Sequence, residues 1–411
     1  MDITQNRPPA RCLDLTRLVS RVDRGPMTGI DRVELAYLEK LLSIEDPLFT
    51  LVNMGRMHFL MDRKGSNTLH RKLTGLDSWG KANWKSQVFR KRSASWRRAF
   101  SDIEKLSIGT AITNTLARLV ARILPNGAVY LNVGHSNLVP NTFDAISSAM
   151  DAKIAVLIHD SIPLDFPQFQ QPGAAEKFEE KLRLVGQKAD LVIFNSLATK
   201  KTTELYFRKW GMFPQSLVAH LGVDVEQPTP QDIPADLNLT QPYFVTVGTI
   251  EPRKNHALLL DIWRKFAAEN DPPTLVIIGS RGWNNRSVFD RLDVSPSGIL
   301  ELSGLTDGAV SALVQGSAGL MFPSFAEGFG LPPAQAARLG VPVICGNLDV
   351  YNEVLADYPV YAAPGDMYQW ETIIRKLADS VKTRQATGGV DNAAITLPSW
   401  NDHFNLVLEL M

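Results

Sequence analysis

From residue 48 onward, short apolar runs alternate with amphipathic stretches along the chain. The runs at 48–53, 129–133, 154–159, 191–194 and 217–220 are bounded by turn residues, the pattern of strands buried on both faces of a parallel sheet. Before and between them, apolar positions spaced three and four apart predict helices over 32–42, 142–150, 174–187 and 198–210. A polar stretch from Glu226 to Pro242 carries Pro228, Pro230, Pro234 and Pro242 and reads as a linker. The alternation then restarts. It predicts strands at 244–247, 275–278, 299–302, 319–322 and 341–345, helices at 257–267, 308–315 and 334–339, and a last helix over 399–410. The expected fold is α/β, with two doubly wound, Rossmann-like domains of parallel sheet facing a cleft. The expected divisions are 1–225, a linker over 226–242, 243–398, and 399–411 returning to the first domain.

Composition narrows the class. The chain has 411 residues, 45% hydrophobic and 21% charged, which fits globular domains rather than a disordered or fibrous chain. No apolar run approaches the roughly 18 residues of a membrane span. The first residues lack the apolar core of a secretory signal. Cys12 and Cys345 stand far apart, which fits neither a disulfide framework nor a metal-binding spacing. A cytoplasmic location is expected. Net charge is zero but unevenly spread: residues 1–225 hold 31 Lys and Arg against 22 Asp and Glu, whereas 226–411 hold 12 against 21. The excess lies in 56–98, where twelve cations face only Asp62 and Asp77, with Trp79, Trp84 and Trp96 interleaved. That stretch follows neither the strand nor the helix period and reads as a basic insertion. A solvated face or loop, an anionic membrane surface and an anionic acceptor are all open readings. Nucleic acid is not expected as a partner, because no binding fold accompanies the charge.

The densest chemistry is Phe322-Pro-Ser-Phe-Ala-Glu-Gly-Phe-Gly-Leu-Pro-Pro-Ala-Gln335. A strand ends, and Glu327, Gly328, Phe329 and Gly330 form a loop. Leu331, Pro332 and Pro333 then begin a helix, where proline is favoured. The exposed N–H groups of such a helix start make an anion site. Glu327 cannot bind phosphate itself, but a carboxylate suits sugar hydroxyls, which are donors. A tight turn with a solvent-facing Glu327 is the plainer alternative. The second segment, Val247-Gly-Thr-Ile-Glu-Pro-Arg-Lys-Asn255, follows a strand and offers Arg253 and Lys254 as diphosphate counter-charges. On these residues alone a solvated surface pair before a helix is the commoner case. No Asp-x-Asp pair or Cys/His cluster points to a metal, and no phosphate-loop or dinucleotide fingerprint is present.

The first of these segments resembles the Glu-x7-Glu motif of retaining glycosyltransferases of family 4, which have the GT-B fold. Glu327 matches the first Glu, which in that family contacts the donor sugar. Gln335 stands where the second Glu contacts the nucleotide ribose. Arg253 and Lys254 match the family's pyrophosphate-binding pair, and Gly248 would let the phosphates approach. Gly304 and Leu305 fall in the segment that lines the base. Leu157-Ile-His-Asp-Ser-Ile-Pro163 resembles the family's His-Asp-x-Ile-Pro stretch. This makes His159 a catalytic-site residue and Asp160 an acceptor-side candidate. Gly29, in Thr28-Gly-Ile-Asp-Arg32, resembles the glycine loop facing the donor phosphates, and Asn195-Ser196 matches a pair read as a helix cap. The resemblance covers about 140–411 well and is thin over 45–135.

The resemblance implies a metal-independent hexosyltransferase that retains configuration. It would move a sugar from a nucleoside diphosphate sugar to a saccharide or lipid-linked acceptor in surface polysaccharide assembly. Mannose from GDP-mannose is the leading donor, and no separate cofactor is implied. The basic stretch adds possible peripheral attachment to a membrane surface. A nucleotide-sugar epimerase using the same cleft, a non-catalytic sugar-nucleotide scaffold suggested by Gln335, and a membrane adaptor remain as alternatives.

Overall fold

The computed structural model describes residues 8–235, 237, 239, 242–269, 271–387 and 395–411. Four positions of the expected linker (236, 238, 240 and 241) and residues 388–394 of the expected second domain lie outside the described residues. Alternating apolar runs and helices resolve into two sheets. The first is built from β1 (Arg11–Asp14), β2 (Leu48–Met54), β3 (Met57–Asp62), β4 (Gly109–Ile112), β5 (Val129–Asn132), β6 (Lys153–Ile158), β7 (Leu191–Phe194) and β8 (Ser216–Val218). Their order is β4-β3-β2-β1-β5-β6-β7-β8. The second sheet holds β9 (Tyr243–Val247), β10 (Thr274–Ile278), β11 (Ile299–Leu302), β12 (Gly319–Phe322), β13 (Val343–Cys345) and β14 (Val360–Tyr361). Their order is β11-β10-β9-β12-β13-β14. The central strands are buried throughout, as two-sided helix cover requires.

The first sheet departs from the all-parallel expectation at one edge. Strand β3 runs antiparallel to β2, and β4 antiparallel to β3. The basic stretch therefore begins as a sheet strand rather than an insertion. Gly55 turns the β2–β3 hairpin with φ of +83°. Asp62 caps the next helix, Arg63–Leu73, by accepting from the Gly65 N–H at 2.9 Å. The buried residues of that helix are Gly65, Ser66 and Leu69. A Cβ on Gly65 would lie 2.7 Å from the Leu106 carbonyl, so a second helix, Ala94–Leu106, approaches closely there. Small residues, not a leucine stripe, do the packing, which hides the helix from an apolar-periodicity reading.

In both sheets the strand order reverses at one point, between β1 and β5 and between β9 and β12. Open α/β sheets bind ligands beside the carboxyl ends of the strands at such points. The carboxyl ends of the two sheets are held against each other by named contacts. Arg32 pairs with Asp307 at 2.5 Å. Trp283 Nε1 donates to the Phe169 carbonyl at 3.0 Å, and the Phe169 and Phe325 rings stack at 5.5 Å. Glu353 accepts from the backbone N–H groups of Leu197 (2.6 Å) and Ala198 (3.0 Å) and from His220 Nε2 (2.6 Å). The helix Trp400–Glu409 packs on the helix Gly29–Ser43 of the first half. There Tyr37 donates to His403 Nε2 at 2.7 Å, and Phe404 meets Tyr37 edge-on at 5.0 Å.

Candidate active site

The loop after β9 and the loop after β12 carry the densest charge in the cleft. Strand β9 ends at Val247, and Gly248 follows with φ of +140°, which a side chain would resist. Its absent Cβ would sit 3.8 Å from Lys254 Nζ. The turn ends on Asn255, left-handed at φ of +55°. Strand β12 leads into Glu327, and Gly330, left-handed at φ of +84°, starts the helix Leu331–Arg338 with prolines in its first turn. A Cβ on Gly330 would stand 2.4 Å from the Tyr351 ring.

Four ionisable side chains meet between these loops. Glu327 pairs with Arg253 Nη1 at 2.8 Å and Lys254 Nζ at 2.5 Å. Arg253 Nε also pairs with Glu251 at 2.7 Å, and its Nη1 donates to the Ala326 carbonyl at 2.9 Å. Lys254 Nζ lies over the Phe322 ring, 4.2 Å from its centre. Burial favours the neutral acid at Glu327, but Arg253 and Lys254 outweigh it and hold the carboxyl down at about 2. Burial, helped by repulsion from Arg253, lowers Lys254 to about 8. Burial also raises Glu251. At neutral pH Glu327 is therefore a carboxylate and Lys254 an ammonium. The plain-turn reading of Glu327 therefore fails, because the carboxylate faces the cleft cations and not solvent.

The facing wall comes from the first sheet. His159 and Asp160 follow β6, and the His159 carbonyl accepts from Asn195 Nδ2 at 2.9 Å. A Cβ on Gly328 would lie 2.2 Å from that carbonyl, so only glycine lets the two walls meet. The Gly328 carbonyl accepts from Ser196 (3.2 Å) and Thr199 (3.1 Å). Ser196 also caps the helix Leu197–Lys209, accepting from the Thr199 N–H at 3.0 Å. His159 Nε2 lies 2.7 Å from the Val133 carbonyl. A carbonyl only accepts, so Nε2 carries the proton and Nδ1 is bare in the neutral ring. Burial lowers His159 to about 4, keeping it neutral at pH 7. Asp160 is pushed up to about 6 by burial, partly opposed by Arg253. Gly29 touches Leu331, its absent Cβ being 3.5 Å from Leu331 Cδ1.

Other candidates stand further from this cluster. Phe329 is buried and faces His220, with ring centres 6.3 Å apart. Gly304 and Leu305 follow the edge strand β11, and Gly304, at φ of +72°, has open space around it. Gln335 Nε2 donates to the Asp224 carbonyl at 2.8 Å, and Arg338 donates to the Val223 carbonyl at 3.0 Å. A glutamate could not make the first of these bonds. The structure also adds residues that motif reading passed over. His135, after β5, lies 4.9 Å ring to ring from His159, and Lys181 donates to the His135 carbonyl at 3.1 Å. Glu34 is buried against Gly134 and accepts from the Leu18 N–H at 2.6 Å. The signal for His135 was its place in the loop just after a strand, near the kind of position that singled out His159.

Comparison with known proteins agrees with this arrangement. Residues 231–389 match the family model described as Glycosyl transferases group 1. Over these residues the chain is similar to that family's domain. It is 29% identical over 254 residues to the serotype-specific mannosyltransferase WbdA of Escherichia coli, covering 56% of this chain and 31% of that protein. It is 33% identical over 130 residues to the O-antigen chain mannosyltransferase B of Escherichia coli, covering 31% and 34%. The chain thus spans about a third of the length of these relatives. Among solved structures, Anabaena Alr3699/HepE in complex with UDP-glucose superposes with a TM-score of 0.60 at 15% identity, over 91% of this chain and 90% of that one. Sucrose-phosphate synthase from Thermosynechococcus elongatus gives 0.56 at 16% identity, over 92% and 91%. These neighbours establish the GT-B fold, two sheet domains across a cleft.

Proposed function

We propose that the chain is a retaining glycosyltransferase that uses a nucleoside diphosphate sugar without a metal ion. One observation carries the proposal: Arg253, Lys254 and Glu327 meet at the switch point of the second sheet, against His159 and Asp160 of the first. Arg253 and Lys254 bind the diphosphate and take up the charge that develops on it as the glycosidic bond breaks. The N–H groups at Gly328–Leu331 add neutral donors, and Gly248 leaves room for the phosphates. Glu327 orients the sugar through its hydroxyls. His159, neutral and fixed through its Nε2, lines the reacting centre without adding charge. Asp160 faces the acceptor. The leaving phosphate helps deprotonate the acceptor hydroxyl, as in the family this chain resembles. Gly29, Gly304, Leu305, Phe329, Gly330 and Gln335 complete the donor site.

Mannose from GDP-mannose is the preferred donor in this reading, supported by the mannosyltransferase names of the relatives. The acceptor is a saccharide or lipid-linked oligosaccharide of surface polysaccharide assembly. The basic face at 56–98 would rest on an anionic membrane. No described helix is long and apolar enough to cross one. The test is a thermal-shift panel of GDP, UDP, dTDP and ADP in EDTA, run beside Arg253→Ala. A ligand at 100 times its Kd stabilises by about 2.7 kcal/mol. One nucleotide should shift the wild type and not the variant, and its sugar should be consumed only when acceptor is present. No shift with any nucleotide would sink the donor site, and consumption without acceptor would favour an epimerase.

A further inference from the structure

The Arg253 and Lys254 donors that a diphosphate needs already have a protein partner. Glu327 takes Arg253 Nη1 at 2.8 Å and Lys254 Nζ at 2.5 Å, and Glu251 takes Arg253 Nε at 2.7 Å. The contacts lie out of water: the Lys254, Glu251 and Glu327 side chains are 9%, 3% and 7% exposed. An incoming diphosphate therefore competes with a buried carboxylate for the same N–H groups. A buried carboxylate stripped of its donors is costly unless others replace them. Sugar hydroxyls are such donors, and they come only with the intact nucleotide sugar. A bare nucleoside diphosphate lacks the transferred sugar and keeps only its ribose hydroxyls, at the other end of the diphosphate, and its terminal phosphate adds negative charge beside Glu327.

We propose that Glu327 is a selectivity residue: as the built-in counter-anion of Arg253 and Lys254, it admits a nucleotide sugar in preference to the bare nucleoside diphosphate. This deepens the proposed transferase reading and rests on it. The donor exchanges partners pairwise, diphosphate to the cations and sugar hydroxyls to Glu327. Once the sugar has moved to the acceptor, Glu327 loses its hydroxyl donors and returns to Arg253 and Lys254. The same carboxylate thus helps expel the product and limits product inhibition. Arg253 and Lys254 sit where this exchange needs them. Lys254 Nζ lies 3.8 Å from the position that a Cβ on Gly248 would occupy, so the absence of that side chain leaves phosphate access to the ammonium.

The experiment is isothermal titration of the full chain and of Glu327→Gln with GDP, GDP-mannose, UDP and UDP-glucose, with thermal melts of both proteins. Wild type should bind the nucleotide sugar more tightly than the matching bare diphosphate. Glu327→Gln should reverse that order, binding the bare diphosphate about tenfold more tightly than wild type does, the scale of one charge-assisted hydrogen bond. Should Glu327→Gln fail to fold, Glu327→Asp draws the carboxylate back by one methylene and should gain about threefold for the bare diphosphate. Equal or weaker binding of the bare diphosphate by the folded variant overturns the selectivity role while leaving the donor site standing. If neither protein binds any of the four, the transferase reading itself fails, and this inference with it.

Discussion

At the scale of single residues, the cleft cluster sets the pH behaviour. Glu327 is held at about 2 against an ordinary 4.5. A depressed carboxyl contributes stability that is fully present above about 4.5 and is lost as pH falls toward 2. Asp160 acts in the opposite sense. It is raised to about 6, so its ionisation opposes folding at neutral pH, and the penalty lifts as pH falls from 6 toward 3.8. Glu327→Gln should therefore flatten the fall of Tm between pH 4.5 and 3 relative to wild type. For turnover, Asp160 ionised and Lys254 charged define a window between about 6 and about 8. A kcat/KM profile should show both limbs, and Asp160→Asn should remove the acid one. That Arg253, Lys254 and Glu327 meet was legible through the family motif their segments resemble. The bond from Gln335 to the Asp224 carbonyl was not legible, because it joins elements that only folding brings together. Gln335→Glu would replace that donor with a carboxylate facing a carbonyl. At this half-buried position it should cost about 1 kcal/mol in urea unfolding.

Secondary elements were legible where burial is two-sided and apolar, and hidden where it is not. Strands β5 to β7, β9, β10, β12 and β13 announce themselves as apolar runs because helices cover both faces. Strand β1 has four residues, all buried, but includes Arg11 and Asp14. Arg11 pairs with Asp46 and donates to the Met411 carbonyl, and Asp14 accepts from Tyr130 and Asn137 at 2.8 and 2.7 Å. Those partners are distant in sequence, so the strand is invisible locally. The helix Leu197–Lys209 makes the element-scale prediction. Its first N–H groups are satisfied by Ser196 from its own half and by Glu353 from the other. Glu353→Ala removes a cap, frees His220 and loosens one of the contacts between the sheets. The expected loss is about 1–2 kcal/mol of unfolding free energy. The variant should also open the cleft, seen as an increased radius of gyration in solution scattering. Glu353→Gln keeps one acceptor oxygen and should lose less than half as much.

For the whole molecule, charge is divided along the chain and placed in space. Much of the basic excess sits on the helices that cover the β3–β4 edge of the first sheet, outside the cleft. Some of it is neutralised: Arg71 pairs with Asp77, Lys72 with Asp102 and Lys85 with Glu104. Arg90, Lys91 and Arg98 are exposed and make no salt bridge among the described residues, and Arg92 lies over the Trp96 ring. Of the three interleaved tryptophans, Trp96 stacks on Phe100 and Trp79 is half-buried, while Trp84 stands 78% exposed near Val88 at 77%. Free cations around an exposed indole make a surface suited to anionic lipid, since each Lys or Arg near such a surface contributes about 1 kcal/mol and Trp prefers the interface. Removing Arg90, Lys91 and Arg92 together should then weaken binding to anionic vesicles by about a hundredfold. Trp84→Ser should weaken it further, and raised salt should mimic the charge loss. Neutral vesicles should bind poorly throughout. Nucleotide affinity should not change in either variant, because these side chains belong to neither wall of the cleft. Co-sedimentation across lipid composition, paired with titration of the nucleotide, separates the two surfaces. Equal binding of wild type and the triple variant to anionic vesicles would leave this face an ordinary solvated one.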